Sequence, residues 1–400
     1  MKVIQYCQHV LGIGHLFRSL EICRALSGHQ VVLITGGPRV DARLPAHVRE
    51  VCLPDLQMNQ EFKGLYSSQT NTPLNLIQEQ RKEQIFNLIQ EEKPDIFLVE
   101  LYPFGRKAFR FELDPVLQAI RDKHLPDCRV VCSVRDILVE KEDAAKHELR
   151  AVNTLNHYFD AVLVHADPKL SQLSETFARF DEISIPVIYT GYIARRPAAG
   201  AGVSMRRRLQ IGRDEILIVA SAGGGSVGAP LLKAVLRAFD RLQHAKRLHL
   251  KVFTGPYLDH AEFSRLQRAA GRNVEINQFS ADFLAYLAAA DLSVSMGGYN
   301  TTMNILATGV RALVWPFPQN REQRMRAERL ERKGILKVVA DNDLASERLA
   351  GIMARTLASA ERATVEIDLD GAADTAAWLE KIGFRCQVSG VSKPPSSPAL

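Results

Sequence analysis

The chain has 400 residues, and at roughly 100–200 residues per domain this length favours two domains. Hydrophobic residues make up 46% of it and charged residues 24%, which excludes a mostly disordered chain, a fibre and a small disulfide scaffold. The net charge of +6, from 51 basic and 45 acidic residues, is too small to indicate nucleic-acid binding by itself.

The first half of the chain alternates strand-like and helix-like segments. Its strands are short, continuous and rich in Val, Ile and Leu, as in a parallel sheet that helices cover on both faces. The predicted strands are residues 3–7, 31–35, 96–100, 129–134 and 161–165. The predicted helices are residues 16–26, 73–90, 106–123 and 143–157.

The alternation stops and then restarts in the second half. Residues 191–204 are rich in Gly, Ala and Pro without periodicity, which indicates a linker. The next predicted strands are residues 216–221, 249–254, 274–276, 292–295, 312–315 and 336–339, and the helices are 229–243, 261–270, 281–290, 301–308, 321–333 and 372–379. We therefore predict an α/β protein of two Rossmann-like doubly wound domains, residues 1–190 and 205–383, which face a cleft between them. A disordered tail is predicted over residues 384–400.

The cysteines and the apolar segments bear on location. Six scattered cysteines without a CxxC pair indicate a reducing, cytoplasmic compartment. Gln5 and Gln8 interrupt the N-terminal apolar segment too early for a signal peptide, and no run of about 18 apolar residues predicts a membrane span. The absence of an HExxH motif or a close His/Cys cluster predicts no metal.

Ligands of such folds bind beyond the carboxyl ends of the strands, so the loops there are the candidate sites. The first such loop is residues 12–15 (GIGH), which does not complete the GxGxxG fingerprint. Gly14 allows close approach of a ligand, and His15 in the first helical turn is a candidate general base. A capping or packing histidine is the alternative.

Two carboxylates also stand at strand ends in the first half. Glu100 ends one predicted strand, and Asp136 follows another after Arg135. Either carboxylate could deprotonate or orient a substrate hydroxyl. An ion pair between Arg135 and Asp136 that holds the loops together explains the second position equally well.

Three loops of the second half carry further candidates. Residues 221–228 place four glycines between a strand and a helix, which indicates an anion cradle or a flexible turn. Residues 295–302 place two glycines, an asparagine and two threonines at a helix start, which suits a diphosphate or an ordinary helix cap. Residues 316–324 offer amides for sugar hydroxyls and arginines for a phosphate.

Taken together, residues 277–334 resemble the donor-binding half of family 28 glycosyltransferases of the MurG type, which have the two-domain GT-B fold. Residues 225–229 look like that family's glycine-rich loop, and residues 12–15 look like its N-terminal glycine–histidine loop. Residues 6–15 and 296–301 also resemble a less studied branch of predicted glycosyltransferases.

The resemblance implies inverting transfer of a hexose or N-acetylhexosamine from a nucleoside-diphosphate sugar, UDP-linked, without a metal or other cofactor. The acceptor would be a hydroxyl of a glycan, a lipid-linked or a small-molecule substrate. The implied catalytic base is His15, with Glu100 and Asp136 in reserve. The implied donor-binding residues are Gly14, Gly225, Ser226, Phe279, Ser280, Gly297, Gly298, Asn300, Thr301, Asn304 and Gln323.

Several of these positions have specific roles in the resemblance. Phe279 and the backbone of Ser280 would hold the uracil ring, and Gln323 would contact the sugar. Asn304 stands where the family has a glutamate that binds the ribose hydroxyls, so it loses the charge assistance of a carboxylate. A nucleotide-sugar hydrolase, a sugar 2-epimerase and a non-catalytic binding protein on the same fold therefore remain open.

The charge is uneven along the chain. Residues 205–335 hold 20 basic and 11 acidic residues, a balance of +9, which suits an anionic donor. Part of this charge, residues 206–208 and the exposed face predicted for helix 321–333 with Arg326, could instead contact anionic lipid headgroups on the inner face of the cell membrane. Nucleic acid is not needed to explain it.

Overall fold

The computed structural model describes residues 1–9, 14–37, 43–58, 64–67, 72–138, 143–225, 227–242, 247–359 and 366–388, the last five as backbone only. The chain divides into two compact units. Unit 1 comprises Met1–Ile193 and the chain from Asp370 onward, and unit 2 comprises Ala194–Leu369. Each unit has a parallel sheet with helices packed on it, so the predicted α/β fold class is confirmed.

Unit 1 begins with alternating strands and helices close to those predicted. Its strands are β1 (Lys2–Cys7), β2 (Gln30–Thr35), β3 (Val48–Cys52), β4 (Gln57–Met58), β5 (Leu65–Tyr66), β6 (Ile96–Glu100), β7 (Arg129–Arg135), β8 (Ala161–His165) and β9 (Val187–Tyr189). Its helices in this part are α1 (Gly14–Ala25), α2 (Leu74–Glu92), α3 (Arg110–Arg121) and α4 (Ala144–Tyr158), with 3-10 turns at Lys107–Phe109, Leu173–Glu175 and Phe180–Glu182.

The strand order of unit 1 positions its candidate residues. The parallel sheet runs β3-β2-β1-β6-β7-β8-β9, while β4 and β5 form a separate antiparallel pair. The order reverses between β1 and β6, so the segments that follow these two neighbouring strands diverge there. His15 follows β1 and Glu100 ends β6, and both therefore lie at this switch point.

Unit 2 repeats the pattern with a second sheet. Its strands are β10 (Ile216–Ser221), β11 (Leu248–Phe253), β12 (Val274–Asn277), β13 (Leu292–Met296), β14 (Ala312–Trp315) and β15 (Lys337–Val338), in the order β12-β11-β10-β13-β14-β15. Its helices are α5 (Ala201–Arg208), α6 (Ala229–Leu242), α7 (His260–Arg268), α8 (Phe283–Ala289), α9 (Tyr299–Thr308), α10 (Arg321–Arg332) and α11 (Ser346–Ala358), with a 3-10 turn at Asp341–Leu344. Here the order reverses between β10 and β13, and the two glycine-containing loops follow these strands.

The predicted domain boundaries are wrong at two places. Helix α5 begins inside the predicted linker, which the small residues of that segment concealed. Helix α12 (Gly371–Val388) packs on α1, and Leu379 and Ala376 belong to the core of unit 1. The sequence shows that α12 has an apolar face but not which of the two cores it meets. Helix α12 also extends through residues 384–388 of the predicted tail, whereas residues 389–400 lie outside the described chain.

Candidate functional site

His15 and Glu100 form a buried pair in unit 1. His15 stands in the first turn of α1, and its Nδ1 lies 2.6 Å from Oε1 of Glu100 at the end of β6. The His15 side chain is 16% exposed and the Glu100 side chain 1% exposed. When Nδ1–H donates to the carboxylate, Nε2 keeps its lone pair for a substrate proton. This tautomer is the one that a general base requires.

Two arginines complete the surroundings of Glu100. Arg18, one turn after His15 on α1, forms an ion pair with Glu100, and its Nη2 lies 3.0 Å from His15 Nδ1. Arg106, in the loop after β6, places Nη2 4.0 Å from the second carboxylate oxygen. The sequence marked the loop from Glu100 to Arg106 as a candidate region, but it did not reveal Arg18, although Arg18 stands three residues after His15 and therefore shares its helix face.

The pKa values follow from burial and from these charges. Burial lowers the pKa of His15 to about 3; the charge of Glu100 opposes this shift, while Arg106 and Arg18 add to it. Burial alone would raise the pKa of Glu100, but His15, Arg18 and Arg106 outweigh it and hold that pKa well below its usual range. At neutral pH the pair is therefore a neutral imidazole beside an ionised carboxylate.

The other candidates of unit 1 are Asp136 and Gly14. Asp136 follows β7 and is 0% exposed, and its backbone carbonyl accepts a hydrogen bond from Ser171 at 3.4 Å. Such burial leaves its side chain no direct route to an acceptor hydroxyl. Gly14 is the first residue of α1. Residues 12 and 13 of the predicted loop lie outside the described chain.

A buried arginine that the sequence did not reveal ties three strand ends of unit 1 together. Arg81 of α2 donates from Nε and Nη2 to the two carboxylate oxygens of Glu112, at 2.7 Å each. Its remaining N–H groups reach the Gln8 side chain at 2.7 Å and the carbonyl oxygens of Gly36 at 3.1 Å and Pro54 at 2.7 Å. The segments after β1, β2 and β3 are therefore held by one guanidinium group.

In unit 2, the glycine loop after β10 fits tightly against the loop after β11. Gly225 has φ +98°, and a Cβ on it would lie 2.4 Å from the carbonyl oxygen of Thr254. Only glycine fits at that position, because any side chain would strain the backbone and collide with it. The backbone at Gly225 is therefore closely packed against the loop after β11. Ser226 lies outside the described residues.

The second glycine segment of unit 2 joins β13 to α9. Gly298 is the N-cap of α9, and as a glycine it has no side chain to cap the helix. The helix begins at Tyr299, two residues earlier than predicted. Asn300 and Thr301 stand in its first turn, with Thr301 7% exposed. The Thr301 hydroxyl lies 4.0 Å from the Cβ position of Gly223, so the two glycine segments meet at the switch point. A helix start of this kind suits an anionic group.

Phe279 and Ser280 lie at the carboxyl edge of the same sheet, between β12 and α8. The Phe279 side chain is 59% exposed. The Ser280 hydroxyl accepts a hydrogen bond from the backbone N–H of Asp282 at 3.1 Å and so fixes the turn before α8. An exposed ring on a fixed turn is available for stacking on a ligand.

Gln323 and Asn304 occupy different positions in unit 2. The Gln323 side-chain oxygen accepts from the backbone N–H of Phe317 at 3.0 Å, which holds the loop after β14 and leaves the amide NH₂ as the group that it can offer a sugar. The Asn304 side chain is half-buried on α9, and its backbone carbonyl accepts from the Thr308 hydroxyl at 2.8 Å.

Three of the arginines expected on the surface have structural partners. Arg326 is 1% exposed, pairs with Glu322 at 2.6 Å and stacks on Tyr299 with 5.0 Å to the ring centroid. Arg206 pairs with Asp291 at 3.1 Å and donates to backbone carbonyls, and Arg208 pairs with Asp282 and stacks on a tyrosine. The expectation that Arg326 lies on a solvated face was wrong, because position in the helix does not show which core covers that face.

Among the residues that the structure describes, no group of three or more His, Cys, Asp or Glu side chains is arranged to hold a metal ion. None of the helices in that part of the chain is both long and apolar enough to cross a membrane.

Comparison with known proteins bears on unit 2 in particular. Residues 219–369 match the glycosyltransferase family 28 C-terminal domain, from within β10 to the last residue of unit 2. Over these residues, unit 2 is similar to the glycosyltransferase family 28 C-terminal domain. Gly225, Phe279, Gly297 and Gln323 all lie inside the matched segment.

Curated relatives match the chain only in part. The UDP-N-acetylglucosamine--N-acetylmuramyl-(pentapeptide) pyrophosphoryl-undecaprenol N-acetylglucosamine transferase of Caldicellulosiruptor saccharolyticus is 27% identical over 187 residues, which is 46% of this chain and 50% of that protein. The enzyme of the same name from Rhizobium meliloti is 33% identical over 140 residues, 34% of this chain and 37% of that protein. The chain thus matches half or less of the length of these relatives.

Solved structures resemble the whole described fold. MurG of Acinetobacter baumannii gives a TM-score of 0.54 at 14% identity, covering 97% of this chain and 100% of that chain. The calicheamicin glycosyltransferase CalG4 gives 0.58 at 18% identity, with 96% and 97% covered. VinC in complex with dTDP gives 0.59 at 14% identity, with 96% and 100% covered. At these identities the likeness shows the fold, which is GT-B.

Proposed function

We propose that the protein is an inverting glycosyltransferase that moves a hexose or N-acetylhexosamine from a nucleoside-diphosphate sugar to an acceptor hydroxyl. The observation that carries this proposal is the His15–Glu100 pair, 2.6 Å between Nδ1 and Oε1, in a chain whose residues 219–369 match the family 28 C-terminal domain. In this proposal the pair supplies a base, and the matched segment of unit 2 supplies the donor-binding loops.

In the proposed step, His15 Nε2 takes the proton of the acceptor hydroxyl as its oxygen attacks the anomeric carbon. The bond between that carbon and the diphosphate oxygen breaks, and the diphosphate leaves with the electron pair. Glu100 holds Nδ1–H and stabilises the imidazolium that forms, with Arg18 fixing the carboxylate. Single displacement inverts the anomeric configuration. The buried carboxylates Glu100 and Asp136 fit a histidine base better than a carboxylate-based epimerase.

The leaving diphosphate is assigned to the glycine segments of unit 2. The start of α9 and the glycine loop after β10 present backbone N–H groups, which stabilise negative charge without a metal. The balance of +9 over residues 205–335 favours the same ligand. In the proposed complex, Phe279 with Ser280 binds the nucleobase of the donor, Asn304 binds the ribose and Gln323 binds the transferred sugar.

The names of the curated relatives suggest the substrates. These proteins are named as transferring N-acetylglucosamine from its UDP derivative to an undecaprenol-linked acceptor. We infer by analogy a UDP-linked donor and a lipid-linked, glycan or small-molecule acceptor. Cytoplasmic location with a peripheral contact at the inner membrane face is part of the same proposal. Arg206 is held by Asp291 and by backbone carbonyl oxygens, whereas Arg208, in an ion pair whose two side chains are each 54% exposed, lies on the surface and is available for such a contact.

A panel of UDP-, dTDP- and GDP-sugars tests the proposal without requiring an identified acceptor. Binding is measured by calorimetry, and the products are followed by NMR with and without acceptor extracts. Transfer only when acceptor is present supports the proposal. Free sugar without acceptor would indicate a hydrolase, an altered sugar an epimerase, and tight binding without turnover a binding protein, for which Asn304 is the feature in favour. No binding of any nucleotide sugar would refute the whole assignment.

A further inference from the structure

Tyr257 is a large aromatic side chain that neither the core of unit 2 nor the proposed catalytic pair uses. It lies in the loop after β11 and is 48% exposed. Within the described residues its hydroxyl group has no hydrogen-bond partner. Exposure of a single aromatic ring is ordinary, so the feature that makes Tyr257 a candidate is its position beside a proposed ligand-binding edge.

The position of Tyr257 is set by backbone contacts with the glycine loop. Its N–H donates to the carbonyl oxygen of Gly224 at 2.9 Å, and its Cδ2 lies 3.6 Å from the Cβ position of Gly224. Gly255, two residues earlier, has φ +82°, and a Cβ there would lie 2.3 Å from the carbonyl oxygen of Gly223. The ring is therefore held at the rim of the glycine loop although little packs on it.

The strand order places Tyr257 between the two ends of the donor site. Strands β12, β11, β10 and β13 are neighbours in this order in the sheet. Phe279 follows β12 and Tyr257 follows β11. The glycine loop follows β10, and the Gly297–Gly298 segment follows β13. At about 4.8 Å per strand, the first and last of these loops are roughly 14 Å apart, which is about the reach of an extended nucleoside diphosphate. If the nucleobase lies at Phe279 and the phosphates lie at the glycine segments, the nucleoside crosses the end of β11.

We infer that Tyr257 packs its ring on the nucleoside of the donor and is a second aromatic donor-binding residue beside Phe279. This inference rests on the proposed function, because it takes the donor to be a nucleoside-diphosphate sugar. Stacking on an aromatic ring tolerates any base, so Tyr257 contributes affinity for the nucleoside while polar groups select the base.

The test measures Kd by calorimetry for whichever of UDP, dTDP, GDP and ADP the unaltered protein binds most tightly. Tyr257→Ala is expected to raise this Kd about 5- to 150-fold, the range for loss of one base–aromatic stack. Tyr257→Phe keeps the ring and is expected to stay within about threefold of the unaltered protein. Tyr66→Ala, which removes a similarly exposed ring (49%) in unit 1, is the matched control and is expected to leave Kd unchanged.

Each outcome has one meaning. If the unaltered protein binds none of the four nucleotides, the proposed function fails and the inference fails with it. If it binds one of them and Tyr257→Ala leaves Kd unchanged, the inference alone is wrong. A loss that is equal for the alanine and phenylalanine variants also contradicts it, because stacking needs only the ring. A Tyr257→Ala loss accompanied by a lowered melting temperature would show that Tyr257 supports the glycine loop instead.

Discussion

Glu100 keeps an ionised carboxylate at 1% exposure because one imidazole and two guanidinium groups surround it. In the proposed mechanism, this carboxylate orients the His15 ring and stabilises its protonated form. Sequence position identified His15 and Glu100 as candidates, since both follow strands at a predicted ligand edge. It could not show that they touch, because 85 residues separate them and only the order of β1 and β6 in the sheet brings them together.

We expect the negative charge of Glu100 to contribute more to kcat than its hydrogen bond to His15 does. Glu100→Gln should lower kcat by about 10²- to 10⁴-fold, the usual contribution of general-base catalysis, with little change in the donor Kd. The measurement is steady-state kinetics with the preferred donor, with circular dichroism to verify folding because Arg18 loses its counter-charge. Glu79→Gln, at an exposed ion pair on α2, is the control. A Glu100→Gln enzyme with full kcat would contradict the role assigned to the pair.

Two buried histidines should make the protein less stable as the pH falls. Burial lowers the pKa of His15 and of His165 to about 3, against about 6.5 in the unfolded chain. Between these pH values the unfolded state binds protons that the folded state does not. The contribution of each neutral histidine to the free energy of unfolding is therefore fully present above pH 6.5 and is lost as the pH falls from 6.5 toward 3. Each histidine should cost on the order of 2 kcal/mol between pH 7 and pH 5. Urea unfolding at pH 7, 6 and 5 measures this, and a flat stability over that range would contradict it.

At the scale of elements, the sequence predicted the central strands well and the edges poorly. β6, β8, β10 and β14 were predicted at their observed bounds because each is a continuous apolar run. β3 was missed because it lies at an edge of the sheet and carries exposed charged side chains, which interrupt the apolar pattern. Periodicity also could not reveal Arg81, since a buried charge on α2 is understandable only once Glu112 of α3 lies beside it.

Arg81 should be the most costly single charge to remove from unit 1. Arg81→Met would leave the 0%-exposed Glu112 without its counter-charge and three strand ends without a shared donor, at a cost of about 3–5 kcal/mol in the free energy of unfolding. Lys82→Met, at the neighbouring exposed pair with Glu79, should change it by less than about 1 kcal/mol. Urea denaturation compares the two variants. Equal effects would show that the buried network does not stabilise unit 1 as described.

At the scale of the whole molecule, the chain forms two units, each with its own parallel sheet. Helix α12, near the end of the chain, packs on unit 1. Composition and length predicted two α/β domains, and the boundary between the two units, between Ile193 and Ala194, falls inside the predicted linker. The return of α12 to unit 1 could not be predicted, because an apolar helix face fits either core. Its consequence is that α1, which carries His15, packs against residues from the far end of the chain.

Helix α12 should therefore stabilise unit 1 and not unit 2. Leu379→Ala removes a fully buried side chain of the unit 1 core and should cost about 2–5 kcal/mol in the unfolding of that unit. Hydrogen exchange read by mass spectrometry should show faster exchange in β1 and α1 with no change in β10 and β13. Faster exchange confined to unit 2 would mean that α12 belongs to the other core.

The most direct test of the account is sugar transfer by His15→Ala with the preferred donor and acceptor. We expect kcat to fall by about 10²- to 10⁴-fold with an unchanged donor Kd, because the variant loses the proposed base and keeps the donor-binding loops proposed for unit 2. His124→Ala, at an exposed histidine of unit 1, should behave as the unaltered protein. Full transfer by His15→Ala would contradict the central claim that the His15–Glu100 pair is the catalytic base of this chain.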